Sequence, residues 1–430
     1  MDLASKTTAE LDALAAEYQQ EYERLRGRNL AIDMTRGKPA PEQLDLSEGL
    51  LETVSLDDCF GEDGTDYRNY GIIDGIPEAK RLFAEYMEVT PEEIIVGGSA
   101  SLTMMYDTLS GAVLFGMPGG EAPWKDFGKD GAPVKFLCPV PGYDRHFTIC
   151  ERLGMEMINI DMIEDGPDMD AVEAAVKDDA SVKGMWCVPK YSNPSGATYS
   201  DAVVDRLASM PVAAGDFRVI WDNAYAAHHL GGGPATVKNL LHACKDAGNP
   251  DRVLMFGSTS KISLAGAGVA MMAGSLTNID DAKGKMFVST IGPDKINQLR
   301  HVRFFGDLDG IAAHMDKHAA IIGPKFAAVD EILERRLGGK GIATWTKPEG
   351  GYFISVDVLD GCAAEVVRLA GAAGVKLTSA GATFPFGNDP DDSNIRLAPT
   401  MPSVDEIRQA MELFCTCVEL VCSERLRCAT

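Results

Sequence analysis

The stretch Val253-Leu-Met-Phe-Gly-Ser-Thr-Ser-Lys261 reads as a short apolar strand that breaks into small hydroxyl residues and ends on one lysine. Upstream, Phe217-Arg-Val-Ile-Trp-Asp222-Asn-Ala-Tyr225 is a second apolar run, closed by an aspartate and then a tyrosine. Five more runs share this character: Ile94–Val96, Val134–Cys138, Met155–Ile160, Gly184–Val188 and Val269–Met272. Stretches of helical periodicity separate them, at Leu102–Leu114, His146–Leu153, Met169–Val176 and Asp201–Ser209. Apolar strands alternating with helices predict an α/β fold, its mostly parallel sheet of about seven strands covered by helices on both faces.

Outside this region the pattern changes. Leu11, Leu14, Tyr18, Tyr22 and Leu25 recur at helical spacing, and Thr7 with Glu10 forms a capping-box pair at the start. After residue 310, a long helical stretch leads to Gly350-Gly-Tyr-Phe-Ile-Ser-Val356 and then to further helix. The 430 residues are too many for one ordinary domain. The expected division is an N-terminal helix and arm (residues 1–60), a large domain (61–310) and a small α+β C-terminal domain (311–430), with the N-terminal segment joining the small domain.

In an open parallel sheet, ligands bind beyond the carboxyl ends of the strands. Ser99, Ala100 and Ser101 follow the first strand, Tyr143 the second, and Asn193 the run that ends at Val188. Asp222 and Tyr225, then Ser258, Ser260 and Lys261, follow the next two. Each has an ordinary reading: a surface lysine, a serine turn, an aspartate cap, an Asn-Pro turn, a half-buried tyrosine. Taken together they carry chemistry. A lysine emerging from an apolar strand has a depressed ammonium pKa and an amine able to attack an aldehyde. Asp222 can salt-bridge a ring nitrogen, while Asn193 and Tyr225 reach a ring oxygen. Ser258, Ser260 and the helix start at Ser99-Ala100-Ser101 can hold a phosphate. These are the parts that hold pyridoxal 5'-phosphate. Tyr143 would stack on its ring. Arg396, in the apolar stretch Asn394-Ile-Arg396-Leu-Ala-Pro399, needs a carboxylate, either an internal acid or a substrate's.

Composition narrows the partners. Acidic residues number 64 and basic residues 40, a net charge of −24, which opposes nucleic acid and anionic membrane. Ten cysteines at irregular spacings give neither a disulfide framework nor metal-ligand spacing, so no metal is expected. The N-terminal residues lack the layout of a signal peptide and no run reaches membrane-spanning length, so a cytoplasmic protein is expected.

Tyr67-Arg-Asn-Tyr70-Gly with Gly75-Ile-Pro, Asn193-Pro194-Ser-Gly196, Asp222-Asn-Ala-Tyr225, Ser258-Thr-Ser260-Lys261, Gly350-Gly-Tyr-Phe353 and Asn394-Ile-Arg396 occur in this order. Nearly the whole chain thus resembles the fold-type I, class I/II aminotransferases that use pyridoxal 5'-phosphate. Val253–Val269 and Ile291-Gly-Pro-Asp-Lys295 resemble most the bacterial aspartate aminotransferases related to the aminotransferase module of MocR regulators. The resemblance implies a homodimer acting on amino acids and 2-oxo acids, with Tyr70 reaching the partner's phosphate site. It implies that Lys261 forms the Schiff base and shuttles the proton, with Asp222 and Tyr225 as its catalytic partners. Arg396, Asn193 and Gly37 would bind the substrate, and aspartate with 2-oxoglutarate is the expected pair. A dicarboxylate needs a second cation, for which Arg36, Arg300 and Arg303 are candidates. The stretch Leu264-Ala-Gly-Ala-Gly268 lacks the arginine that most of the family places after the lysine. A β-lyase on the same scaffold and a MocR-like ligand sensor are the alternatives, the second disfavoured because only a short acidic helix precedes this region.

Overall fold

Alternate residues of one strand serve opposite faces of a sheet, and this alternation organises the molecule. In the computed structural model, which describes residues 2–127 and 133–429, the central sheet has eight strands. Their order is Ile94–Val96, Ala270–Gly274, Val253–Ser258, Arg218–Asp222, Val182–Cys187, Lys135–Val140, Glu156–Ile163 and Gly166–Pro167. Val253–Ser258, Arg218–Asp222, Val182–Cys187, Lys135–Val140 and Glu156–Ile163 run parallel to their neighbours in that series, while Ala270–Gly274 is antiparallel to both of its own. Met185, Cys187, Val219, Trp221, Val253 and Met255 point into one apolar core. Trp186, Ile220, Leu254 and Phe256, the residues between them, point into another on the opposite face. A strand buried on both sides carries no polar alternation, which is why these runs are continuously apolar.

The seven sequence-predicted strands are all present. The eighth, Gly166–Pro167, is antiparallel to Glu156–Ile163 and too short to leave a periodic signal. Helices Met169–Val176 and Asp201–Ser209 have the expected bounds, and Asp168 and Ser200 cap their first amides. At the N-terminal helix Thr8–Arg26, the Thr7 amide donates to Glu10 Oε2 (2.9 Å) and the Glu10 amide to Thr7 Oγ1 (3.3 Å), the reciprocal pair read from the sequence.

A further core takes residues from both ends of the chain: Leu11, Tyr22 and Leu25 pack with Ile332, Leu333, Phe414 and Val418. The three-stranded antiparallel sheet of Ala343–Trp345, Ile354–Val358 and Asn394–Leu397 belongs to it. The helix Leu308–Leu337 spans the two regions: Ile311 and Met315 lie in the large core, Phe326 to Leu337 in the terminal one. Among the described residues no helix is long and apolar enough to cross a membrane.

Several imidazoles are buried where these regions meet. His318 Nδ1 is 3.0 Å from Gln43 Nε2, His314 Nε2 is 2.8 Å from the Ile262 carbonyl, and His301 Nε2 is 2.8 Å from Ser263 Oγ. Burial pushes His301 and His318 down to about 4, and lowers His314 and His228 as well. The unfolded chain takes up these protons near pH 6.5 and the folded one does not. Stability therefore falls as pH drops from about 6.5 towards about 4, ahead of most carboxylates. Thermal unfolding followed at pH 7.5, 6 and 5 should give midpoints that decline steadily across this window; a flat profile would mean the imidazoles are not held neutral.

Candidate active site

Polar residues at the carboxyl ends of the strands meet Arg396, which comes from the strand Asn394–Leu397, around a cavity of about 700 Å³. Asp222 closes the strand Arg218–Asp222 and is buried. Its Oδ2 lies 3.0 Å from His146 Nε2, so that nitrogen carries its proton towards the carboxylate. The His146 ring is stacked on Trp186, with centroids 4.0 Å apart and planes 4° from parallel, and Tyr143 meets its edge at 4.9 Å. Asp222 Oδ1 is buried with no hydrogen-bond partner among the described residues. A bare buried acceptor costs roughly 1–3 kcal/mol or more, so this oxygen faces the position of a donor brought by a ligand.

Lys261 follows the strand Val253–Ser258 in a tight turn, fixed by the Ile262 and Ser263 amides donating to the Thr259 carbonyl. Its Nζ lies 4.9 Å from the centre of the Tyr225 ring. Burial lowers the Lys261 pKa and the charge of Asp222 opposes it, which leaves an amine more readily deprotonated than a surface lysine. Burial, with Tyr143 and Asp222 nearby, holds the Tyr225 phenol well above its ordinary value, so it keeps its proton as a donor. Burial likewise pushes Tyr143 up to about 12.

Ala100 precedes the helix Ser101–Phe115 and supplies no side-chain cap. Ala100, Ser101, Ser258 and Ser260 line the cavity, beside the leading amides of that helix, a setting that favours an anion. Ser260 Oγ donates to the Ser99 carbonyl at 3.2 Å. A Cβ on Gly268 would stand 3.0 Å from Ser260 Oγ and 3.1 Å from that carbonyl, so a larger residue there would press on this turn. The set of serine hydroxyls, helix amides, a bare carboxylate acceptor and a buried lysine fits pyridoxal 5'-phosphate.

Arg396 is buried, with its guanidinium 4.8 Å from the centre of the Phe353 ring. Its Nη1 donates to Asp144 Oδ1 (3.1 Å) and Asn193 Oδ1 (3.3 Å), and its Nη2 to Thr378 Oγ1 (3.4 Å). Gly37 lines the same wall, where a Cβ would come within 2.7 Å of the Phe353 ring.

Other sequence candidates lie elsewhere. Ser99 is exposed and Tyr70 is 82% exposed, and neither lines the cavity. Of the three cations considered for a second carboxylate, Arg36 lines the cavity and the other two do not. Arg303 pairs with Asp58 at 2.8 Å, and Arg300 Nε is buried with no hydrogen-bond partner among the described residues. The sequence reading missed His146, taken only as part of a helix, along with Asp144, Arg145 and Lys38 on the cavity wall. A lone histidine behind Pro-Gly-Tyr carries no periodic signal; its one hint was its position just past a strand end.

A lysine and an aspartate on adjoining strand ends of such a sheet define a fold-type I pyridoxal-phosphate site. Residues 5–429 match the family model described as aspartate amino-transferase. The aspartate aminotransferase of Corynebacterium glutamicum is 48% identical over 408 residues, 95% of this chain and 93% of that protein. The crystal structure of an aspartate transaminase from the same organism superposes with a TM-score of 0.96 at 46% identity, covering 99% of both chains. LysN, an α-aminoadipate aminotransferase of Thermus thermophilus crystallised with N-(5'-phosphopyridoxyl)-L-leucine, shares the fold with a TM-score of 0.74 at 20% identity, over 93% of this chain and 94% of that one. The chain belongs to the aspartate aminotransferase family and is a transferase that works on amino and 2-oxo acids.

His146 makes the one hydrogen bond that the Asp222 side chain has among the described residues. His146→Ala should therefore lower the unfolding free energy by roughly 1–3 kcal/mol, with His146→Gln between it and the parent in denaturant titrations. An unchanged midpoint and slope would show that the contact contributes nothing.

Proposed function

We propose that the chain transfers an amino group between L-aspartate and 2-oxoglutarate, using pyridoxal 5'-phosphate held by Lys261. The observation that carries this reading is the bare, buried Oδ1 of Asp222 beside a lysine of lowered pKa. When bound, the cofactor supplies an aldehyde carbon for amine exchange and a protonated ring that accepts the electron pair of the substrate's Cα. Asp222 keeps the ring nitrogen protonated, and His146 holds that carboxylate at one angle. Tyr225 donates its hydroxyl proton to the ring oxygen, and Asn193, whose Oδ1 is engaged by Arg396, is left with its amide to donate. Ser101, Ser258, Ser260 and the helix amides hold the phosphate, with Ser99 fixing Ser260. Lys261 Nζ, neutral when freed, lifts the proton from Cα and gives it back.

Arg396 takes the substrate's α-carboxylate in the pocket that Gly37 keeps narrow. Of the cations weighed for the second carboxylate, Arg36 is favoured, since it alone of the three stands on the cavity wall. The enzyme works as a homodimer in the cytoplasm. Phe287, Val288 and Ile291 are exposed by 62–81%, an apolar stretch of the kind that a second copy covers. The Gly71 amide donates to the Ile291 carbonyl, which sets Tyr70 beside this stretch; in the proposed dimer Tyr70 serves the partner's phosphate site. Residues 61–310 form the cofactor domain, and residues 1–60 and 311–430 the smaller one.

Steady-state rates with 2-oxoglutarate as acceptor test the substrate. Aspartate should exceed alanine, leucine and phenylalanine in kcat/KM by at least about tenfold, the loss expected where a charged receptor is left unpaired; preference for an apolar amino acid would contradict the dicarboxylate reading. Asp222→Ala should retain the cofactor poorly in absorption spectra after gel filtration and lose on the order of a hundredfold in turnover. Near-parental cofactor content and rate would remove Asp222 from its role.

A further inference from the structure

The α-carboxylate receptor already holds a carboxylate of the chain itself. Asp144 opens the helix Asp144–Arg152, and its Oδ1 lies 3.1 Å from Arg396 Nη1 on the cavity wall. A guanidinium has five N–H donors: one on Nε and two on each terminal nitrogen. Both hydrogens of Nη1 are engaged, one by Asp144 and one by Asn193 at 3.3 Å. The Nε atom is buried and has no hydrogen-bond partner among the described residues. A substrate carboxylate that takes two parallel N–H groups on the Nη1–Nη2 edge must displace a resident acceptor from Nη1. Asn193 is 3% exposed and locked in the turn beneath the cavity. The Asp144 side chain is 37% exposed and its main chain is fixed independently, with Thr148 Oγ1 donating to its carbonyl, so its carboxylate can swing away alone.

We infer that Asp144 is a resident competitor for the α-carboxylate receptor, displaced when amino acid or 2-oxo acid binds. The inference rests on the proposed role of Arg396. While the pocket holds no substrate, Asp144 neutralises a buried cation that would otherwise be poorly solvated. On binding, one charge-assisted pair replaces another, so the net gain is smaller than for a vacant arginine. Asp144 is a specificity-determining residue for carboxylate affinity; the reacting atoms lie away from it. Its like charge weakens every substrate that shares the α-carboxylate, amino acid and oxo acid alike, and speeds their release.

Calorimetric titration of the cofactor-loaded enzyme with maleate, an unreactive dicarboxylate, tests this. Asp144→Asn keeps the shape and removes the competing charge, and should bind maleate roughly threefold to tenfold more tightly. Asp144→Ala, which removes the acceptor altogether, should do the same. KM for aspartate and for 2-oxoglutarate should fall together in both variants. Equal or weaker maleate binding in both would overturn the inference, because a residue that merely braces Arg396 would loosen the receptor when removed. Arg396→Lys separates the two failures. Loss of at least about tenfold in maleate affinity upholds the receptor on which the inference stands; parental affinity in that variant would refute the receptor itself, whatever Asp144 does.

Discussion

The contact between Asp222 and His146 is the constraint on which the rest of the site depends. A carboxylate placed at the buried end of a central strand is expensive to desolvate unless its charge is met. Here one oxygen is met by an imidazole that is pinned flat against Trp186, and the other is left bare. The pair is therefore rigid on one side and hungry on the other. Trp186 belongs to the core on one face of the sheet, so the direction of the Asp222 carboxylate is set by ordinary apolar packing one strand away. Lys261 owes its lowered pKa to the same burial.

The architecture divides the labour between two regions. The central sheet gathers Asn193, Asp222, Tyr225 and Lys261 at its carboxyl edge, as the geometry of parallel strands requires. Arg396 arrives from a different sheet, packed on the core made by both chain ends. The cavity lies between the two, and the helix Leu308–Leu337 runs through both cores and ties them together. Imidazoles packed around this junction, His314 and His318 among them, connect it by hydrogen bonds to Gln43, Ser47 and the carbonyl after Lys261. Changes at the junction are thus felt directly at the lysine.

Much of this was legible in the chain. Seven strands and the helices between them followed from apolar runs and periodicity, and the Thr7–Glu10 capping pair from a four-residue pattern. The strand-end residues were legible because a parallel sheet sends its loops to one rim. What stayed hidden depends on contacts across long separations. His146 and Asp222 are 76 residues apart, and Asp144 and Arg396 are 252 apart. Arg300 and Arg303 looked available because sequence gives no hint that helix Lys295–Phe305 turns Arg303 towards Asp58. Ser99 precedes the helix that builds the anion position yet presents its carbonyl, not its hydroxyl, to Ser260. The strand Gly166–Pro167 is below the length at which any pattern can be recognised.

One other lysine competes on physical grounds with Lys261. Lys190 is buried, and burial pushes it down to about 8, with its Nζ donating to the Ala226 carbonyl at 2.5 Å. Unlike Lys261, it does not line the cavity that contains Asp222. Borohydride reduction of the purified protein, followed by proteolysis and mass mapping, distinguishes the two. The pyridoxyl mass increment should appear on the peptide containing Lys261 and on no other; its appearance at Lys190, or its absence from every peptide of a protein incubated with pyridoxal 5'-phosphate, would contradict a lysine-held cofactor at the end of the strand Val253–Ser258.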